Sequence, residues 1–463
     1  MSRINKILFI NPINRQRGLA GSPFTRFPPL NLGILAKLTP DDKKIHLIDE
    51  NFDVFEEKIK TIENIDMVGI TSFTSTVTRG YEIAEFFKEK GIPVIMGGIH
   101  VSCMPEEALN FCDSVVIGEA EGVWEKVLED AENGRLKKIY RQDKKFEDIK
   151  IETPQRDIFN NDYFWGSIQT SRGCPMNCDF CSVTMYNGHK YRQRPVEDII
   201  NELKTIKQKH VFFYDDNVVG RTKEQKEHSL ALFKRMAEEK LNKTWFAQCG
   251  INVGEEDEIL KWMYKSGCRI MLIGLESVDE DNLRMMHKNE NVRTYNKMNE
   301  LIKNVHKNGI AVLGAFFVGA PNDDIHTIDK IVNFINKNDI DSLQLTHLTP
   351  LPGTTLYIKM AQENRIAADN YPSDWIKYNF SNVVYKHEKL SEEELIFIVD
   401  GIKNRIVAPL GMLIMRFIKT LFNTKNFSAA SLALIWNMGL RSIYLKGLKQ
   451  RKKSAAVNKK SVL

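Results

Sequence analysis

The sequence predicts an α/β protein in three successive parts: a doubly wound, Rossmann-like N-terminal sheet, a central run of six β/α units, and a helical C-terminal region. Three observations lead there. Short apolar β-type runs alternate with helical runs twice along the 463 residues. Three closely spaced cysteines, Cys174, Cys178 and Cys181, follow the first strand of the second run. Beyond residue 361 the pattern is helical and ends in a basic tail. A chain of this length forms two to three domains, each able to bury its own core.

In the N-terminal third the expected strands are Lys6–Asn11, Lys44–Asp49, Met67–Thr71, Pro93–Met96 and Ser114–Ile117. Helical runs separate them at Leu30–Leu38, Val54–Ile62, Gly80–Lys90, Pro105–Phe111 and Gly122–Asn133. Such alternation makes a mostly parallel sheet with helices on both faces. Small or polar residues close the strands: Thr71-Ser72, Gly97-Gly98-Ile99-His100 and Gly118-Glu119-Ala120-Glu121-Gly122. Ligands of these sheets bind at the strand C-termini, where glycine lets the backbone come close. His100 is a candidate polar contact, though a lone histidine beside a Gly-Gly turn is more often structural.

The cysteines have the spacing C-x3-C-x2-C in Arg172-Gly173-Cys174-Pro175-Met176-Asn177-Cys178-Asp179-Phe180-Cys181. Thiolates so placed in a tight loop can hold three irons of a [4Fe–4S] cube. No fourth cysteine is near in sequence, so one iron stays open for chemistry. Zinc, with His189 as a further ligand, is the competing reading, but zinc sites favour paired C-x2-C knuckles and only one such pair occurs. The other four cysteines, Cys103, Cys112, Cys249 and Cys268, lie scattered in apolar segments and read as small buried hydrophobes. The loop follows Ser167–Thr170 and precedes a helix at Val196–Ile206, which places it at the C-terminal end of a strand.

This motif, with Phe180 before its last cysteine, resembles the radical S-adenosylmethionine superfamily. The resemblance implies that the open iron chelates S-adenosylmethionine and that one electron then yields a 5′-deoxyadenosyl radical. It also implies an electron donor of flavodoxin or ferredoxin type. The six central strands are Ser167–Thr170, His210–Tyr214, Thr244–Gly250, Ile270–Gly274, Ala311–Val318 and Ser342–Leu348; they fit this superfamily's partial (β/α)6 barrel. By the same analogy Asp215, Asp216, Asn217, Gln248, Glu276 and Ser277, with Phe180, surround S-adenosylmethionine. A sulfonium with a ribose diol calls for such carboxylate and amide acceptors. A helix N-cap is the plainer role for an acid at any single strand end. The run Pro350-Leu351-Pro352-Gly353-Thr354 is similar to the segment that closes this barrel in the subgroup containing methylthiotransferases and cobalamin-dependent methylases.

The N-terminal sheet resembles the cobalamin-binding domain that precedes the barrel in cobalamin-dependent members. Thr71, Ser72, Gly97, Gly98 and Gly118 would then line the slot for the nucleotide tail of cobalamin. The D-x-H-x-x-G motif of methionine-synthase-like domains is missing. Asn11-Pro12-Ile13-Asn14-Arg15-Gln16-Arg17-Gly18 holds no histidine, so no histidine is expected on cobalt.

The resulting layout is a cobalamin-binding domain at 1–140, a linker at 141–162, a radical barrel at 163–360, a helical domain at 361–445 and a basic tail at 446–463 without fixed structure. Within the helical domain, Pro409–Phe422 and Ser431–Lys446 read as short amphipathic helices, suited to a membrane interface or to a lid over the barrel. Net charge is +5, yet residues 401–463 hold 13 Lys or Arg and no Asp or Glu, which leaves −8 on the rest. A basic tail on an acidic body suggests an anionic surface as partner. No signal sequence and no transmembrane run are expected. The chain reads as cytoplasmic, peripheral at the inner face of the membrane, with no nucleic-acid partner.

The layout is similar to that of hopanoid-methylase-like enzymes, which implies methylation of an unactivated carbon in an apolar substrate by methylcobalamin and a substrate radical. Three alternatives stand beside it. One is ring closure, oxidation or carbon–carbon coupling without methyl transfer. Another is a methylthiotransferase, which needs a second cluster from three N-terminal cysteines where only Cys103 and Cys112 exist. The third is a cofactor-binding sensor without turnover.

Overall fold

A computed structural model describes residues 4–14, 16, 23–142 and 150–460. The described chain forms two compact units. The first holds residues 4–14, 16, 27–142, 150–218 and 349–385; the second holds 23–26, 219–348 and 386–460.

The first unit is built on six parallel strands: β1 (Lys6–Asn11), β2 (Lys44–Asp49), β3 (Met67–Thr71), β4 (Val94–Gly97), β5 (Ser114–Ile117) and β6 (Ile139–Arg141). Their order across the sheet is β2-β1-β3-β4-β5-β6. The direction of winding reverses between β1 and β3, and at such a switch the strand ends open a crevice for ligand. Strand alternation explains the two cores. Leu8 and Ile10 of β1 join Val68 and Ile70 on one face, while Ile7 and Phe9 join Met67 on the other. Helices cover both faces, as a buried parallel sheet requires. Tyr81 and Phe87 of the helix Val77–Lys88 pack on the first face. Leu32, Trp124 and Leu128 pack on the second. Strand β6 is one the sequence reading did not single out. It is three residues long, and only Tyr140 of the three is buried.

The first unit continues with β7 (Trp165–Ile168), a two-stranded antiparallel ribbon β8 (Ser171–Arg172) and β9 (Arg192–Gln193), and β10 (His210–Phe213), which pairs in parallel with β7. Residues 349–385 return to pack on the N-terminal sheet. Ala368, Trp375, Tyr378 and Val384 belong to the core of its first face. Trp375 is fully buried and stacks on Tyr371 at 3.8 Å between ring centroids. Its indole N–H donates to Glu107 at 2.9 Å. Tyr81 donates to the same carboxylate at 2.8 Å, and the ring of His100 lies 3.4 Å from it. Burial alone would raise the Glu107 carboxyl, but His100, Trp375 and Tyr81 outweigh it and hold it below its ordinary value.

The second unit carries β11 (Thr244–Cys249), β12 (Cys268–Glu276), β13 (Ala311–Val318) and β14 (Ser342–His347), consecutive and parallel. All eight residues of β13 are buried. Helices follow at Glu392–Ile406, Leu410–Thr424 and Phe427–Lys460. The last one corrects two expectations. The short helix expected at Ser431–Lys446 is the middle of a 34-residue helix. That helix runs on through 446–460, where no fixed structure is expected from composition. Lys, Arg, Gln and Ala are good helix formers, and extending a helix already anchored by packing avoids the cost of nucleation. Residues 461–463 lie outside the described residues.

Replacing Trp375 with Ala should lower unfolding free energy by about 3–5 kcal/mol, measured by urea unfolding, because it empties a buried site and strips a donor from Glu107.

Candidate active site

The cysteine loop starts from the β8–β9 ribbon. Gly173 has φ +85°, and a side chain there would strike the carbonyl of Lys190 at 2.3 Å, so only glycine makes this turn. Cys174, Cys178 and Cys181 are all half-buried, and the Cys181 N–H donates to the Cys178 carbonyl at 3.1 Å. Phe180, also half-buried, sits between Asp179 and Cys181. No three His, Cys, Asp or Glu side chains among the described residues converge as ligands of a single ion would. In a cube each thiolate holds a different iron, and three half-buried thiolates in one tight loop fit that role.

Two segments hold the loop in place. The helix Val183–Asn187 directly follows the cysteines, and Tyr186 donates to the Gly118 carbonyl at 3.3 Å. The 350–354 segment packs against it from another side. Leu356 N–H donates to the Asp179 carbonyl at 2.9 Å. Gly353 (φ +83°) is so close that a Cβ would meet Cys103 Sγ at 3.1 Å and Met185 at 3.2 Å.

A buried ion cluster completes the attachment. Arg172, two residues before Cys174, pairs with Glu119 at 2.9 Å and Glu121 at 2.6 Å. Arg192, opposite it on the ribbon, also grips Glu119. Glu119, Arg172 and Arg192 are all buried. Burial disfavours the Arg172 charge, but Glu121 and Glu119 outweigh it and raise the guanidinium pKa further. Glu119 and Glu121 belong to the strand-end loop after β5, next to Gly118. Thus the loop expected to bear the cluster and the edge expected to bear cobalamin are joined within one unit. In sequence alone Glu119 and Glu121 carry no assigned role. Their signal was two carboxylates beside a glycine, with two arginines flanking the cysteines.

At the end of β10 the three adjacent polar residues do different things. Asp215 is fully buried. It accepts from the Thr170 N–H at 3.1 Å, from the Thr170 hydroxyl at 2.7 Å and from Ser171. Burial pushes its carboxyl up to about 6 against these donors. It braces the chain that enters the cysteine loop, and its oxygens are occupied. Asp216 is half-buried and accepts from Asn187 at 3.2 Å. Burial raises its carboxyl, offset by Asn187 and the Gly173 N–H. The Asn217 carbonyl accepts from Tyr191 at 2.7 Å, while its side-chain Oδ1 is buried without a donor among the described residues. That is an acceptor suited to a polar ligand.

In the second unit, Gln248 is half-buried near the end of β11. Glu276 ends β12 at an irregularity in its pairing with β13. Its φ is +66°, a left-handed conformation costly for a residue with a side chain. Lys288 pairs with its carboxylate at 2.9 Å, and Asn291 donates to the carbonyls of Gly274 and Leu275 at 2.9 Å. Strain of this kind collects at functional sites. Ser277 accepts from the Asp279 N–H at 3.1 Å, and Asp279 caps the helix Glu280–Met285. Ser277 serves the turn.

At the N-terminal strand ends, Thr71 accepts from Asn31. Ser72 turns its hydroxyl inward, where a Cβ on Gly80 would meet it at 2.6 Å, so its backbone is what it offers. Gly98 has φ +100°, and a Cβ would meet Ser72 N at 2.9 Å and Ser72 O at 2.8 Å. Ser102 ties the edge together, donating to the Gly98 carbonyl at 2.9 Å and accepting from the Gly118 N–H at 3.0 Å. Gly97 lies beside Val116, whereas a Cβ on Gly118 would meet nothing within 4 Å among the described residues. This glycine-rich edge suits a ligand that lies against backbone. His100 is fully buried, between Thr74 and Glu107, which is the structural role expected of it. Of the stretch 11–18, Arg15, Arg17 and Gly18 lie outside the described residues. Asn14 donates to the Ile376 carbonyl at 2.9 Å.

Comparison with known proteins agrees with this geometry. Residues 17–128 match the B12 binding domain and residues 168–335 the Radical SAM superfamily. The chain is 32% identical over 385 residues to the bacteriochlorophyllide d C-8(2)-methyltransferase of Chlorobaculum tepidum, covering 79% of this chain and 82% of that one. The chain belongs to the cobalamin-dependent radical S-adenosylmethionine methyltransferases. It is also similar to the hopanoid C-2 methylase of Rhodopseudomonas palustris, with 25% identity over 360 residues, 74% of this chain and 66% of that one. In fold it resembles the radical S-adenosylmethionine methyltransferase TsrM of Kitasatospora setae, with a TM-score of 0.71 and 16% identity over 98% of this chain and 100% of that one. The cofactors of this methyltransferase are a [4Fe–4S] cluster, S-adenosylmethionine and cobalamin.

Glu119→Ala should cost about 3–5 kcal/mol, because Arg172 and Arg192 lose a buried counter-charge. Chemical denaturation of the anaerobically reconstituted protein measures it. Cys174→Ala, Cys178→Ala and Cys181→Ala should each lower iron and sulfide content and abolish 5′-deoxyadenosine formation. Gly98→Ala forces a side chain onto the Ser72 backbone and should reduce bound cobalamin, read by its visible absorbance, while iron content stays unchanged.

Proposed function

We propose that this methyltransferase acts on an unactivated carbon of an apolar, lipid- or isoprenoid-like small molecule, with electrons from a flavodoxin- or ferredoxin-type donor. The observation that carries the reading is the Arg172–Glu119–Arg192 cluster, which holds the cysteine loop against the glycine-rich edge of the N-terminal sheet. Two relatives, a bacteriochlorophyllide methyltransferase and a hopanoid methylase, support the substrate class.

An alkyl carbon has no lone pair with which to accept a methyl group directly. The cofactors supply a transferable methyl group and a radical able to abstract hydrogen. The chain's own residues hold and shield. Cys174, Cys178 and Cys181 would hold three irons. Phe180, Asp216, Asn217, Gln248 and Glu276 would accept from or pack on S-adenosylmethionine. Thr71, the Ser72 backbone, Gly97, Gly98 and Gly118 would seat cobalamin. Asp215 and Ser277 position the chain around these groups.

Anaerobic protein with reductant and S-adenosylmethionine should form 5′-deoxyadenosine. Lipid extracts from cells expressing the gene should contain a species heavier by one methylene unit than in cells without it, read by intact mass. Deoxyadenosine with no methylated product in any extract would instead favour ring closure or oxidation.

A further inference from the structure

The helix Leu410–Thr424 has its polarity reversed. Its buried face is largely polar. Arg416, Thr420 and Thr424 point inward with Leu413. Arg416 donates to the Ile340 carbonyl and to Asn336 at 3.2 Å. Thr420 donates to Asp341, and Asn423 donates to Asp339 at 3.2 Å. Its outer face is apolar. Leu410, Ile414, Ile418 and Phe422 recur every fourth residue, which aligns them in one stripe. Ile414 is 50% exposed and Phe422 76% exposed. Phe427, just past the helix, is 69% exposed and extends the stripe. A surface helix normally shows the opposite arrangement, and a contiguous apolar ridge facing outward marks an interaction surface.

The charge around the ridge identifies the partner. No acid occurs from residue 401 to 463. Lys425 is exposed between Phe422 and Phe427. The helix Phe427–Lys460 folds back along the ridge helix: Phe417 and Phe427 meet at 6.0 Å, and Arg441 donates to the Ala408 carbonyl at 2.8 Å. Beyond Arg441 the same helix carries Lys446 and Lys449, both exposed, past the Leu410 end of the ridge, while Arg451 pairs with Asp400 at 2.9 Å. Cations therefore stand at both ends of an apolar stripe. A second copy of the chain meeting this face by two-fold symmetry would set the same patches together, and the like charges would find no acid in 401–463 to pair with. No single helix among the described residues is long and apolar enough to cross a membrane.

We propose that the outward face of Leu410–Thr424, with the flanking basic residues, docks in the plane of an anionic lipid bilayer. Apolar side chains enter the headgroup boundary while the cations meet lipid phosphate. The inference goes beyond the reading of the reaction and holds whatever carbon is methylated.

The test uses the full-length reconstituted enzyme and sedimentation with vesicles of phosphatidylcholine alone or mixed with phosphatidylglycerol. The variant is Ile414→Glu, Ile418→Glu and Phe422→Glu together, three exposed positions away from the cofactor residues. Wild type should pellet with the mixed vesicles, less with phosphatidylcholine alone, and less as salt rises. The triple variant should bind about tenfold less while keeping its circular dichroism and its substrate-independent deoxyadenosine formation. The proposal falls if wild type stays in the supernatant, or if the variant pellets equally. It also falls if sedimentation velocity shows a wild-type dimer that the variant converts to monomer, since the face would then join two copies. Should the triple variant fail to fold, Phe422→Ser alone, at the most exposed position of the ridge helix, is the second variant. Its partition must fall measurably below wild type, or the proposal fails.

Discussion

The first unit depends on one constraint: Arg172, Arg192 and Glu119 are charged, buried and must remain together. A buried guanidinium is tolerable only when carboxylates sit within contact distance. Glu119 can meet both arginines only if the loop after β5 abuts the β8–β9 ribbon. That single requirement fixes the base of the cysteine loop against the end of the N-terminal sheet. Glu121, Tyr186 and the 350–354 segment add contacts, but they follow from an approach the ion cluster has already imposed. A salt bridge of this kind adds little net stability compared with apolar packing. Its use is geometric, because any other arrangement strands a charge.

The same logic separates two kinds of polar residue at the strand ends. Asp215 and Ser277 have their acceptor positions filled by nearby backbone and hydroxyl donors, so they shape the loops. Asp216 and Asn217 are less completely served, and Glu276 sits in a strained backbone conformation. All these residue types look alike in one dimension, since each is a short polar side chain after an apolar run. Counting their donors and acceptors in three dimensions is what tells them apart.

The return of residues 349–385 to the N-terminal sheet is a second tertiary effect. Trp375, Tyr371 and Tyr378 carry no periodic pattern that names their partner. Glu107 and His100 are equally unremarkable in sequence. Their association makes the face of the N-terminal sheet depend on chain more than 250 residues downstream. It also accounts for His100, whose ring is consumed by this packing and is unavailable to a metal.

By itself the sequence determined the secondary structure of both β/α regions and the identity of the cofactors. Short strands with apolar period, closed by glycine or a short polar residue, state where they lie, though β12 runs over Cys268–Glu276 where Ile270–Gly274 was expected and β7 over Trp165–Ile168 where Ser167–Thr170 was expected. C-x3-C-x2-C states its chemistry because ligands so close in sequence are bound to be close in space. The exceptions were β6, three residues with one buried side chain, the two-residue strands β8 and β9, and the C-terminal helix, whose length comes from propagation out of a packed segment. Only the tertiary structure decided that Glu119 serves Arg172 and Arg192, that Asp215 and Ser277 are braces, and that the Leu410–Thr424 helix turns its apolar side outward. Each of those is a long-range pairing. Sequence records what a residue can donate, accept or bury, whereas folding chooses which distant residue receives it.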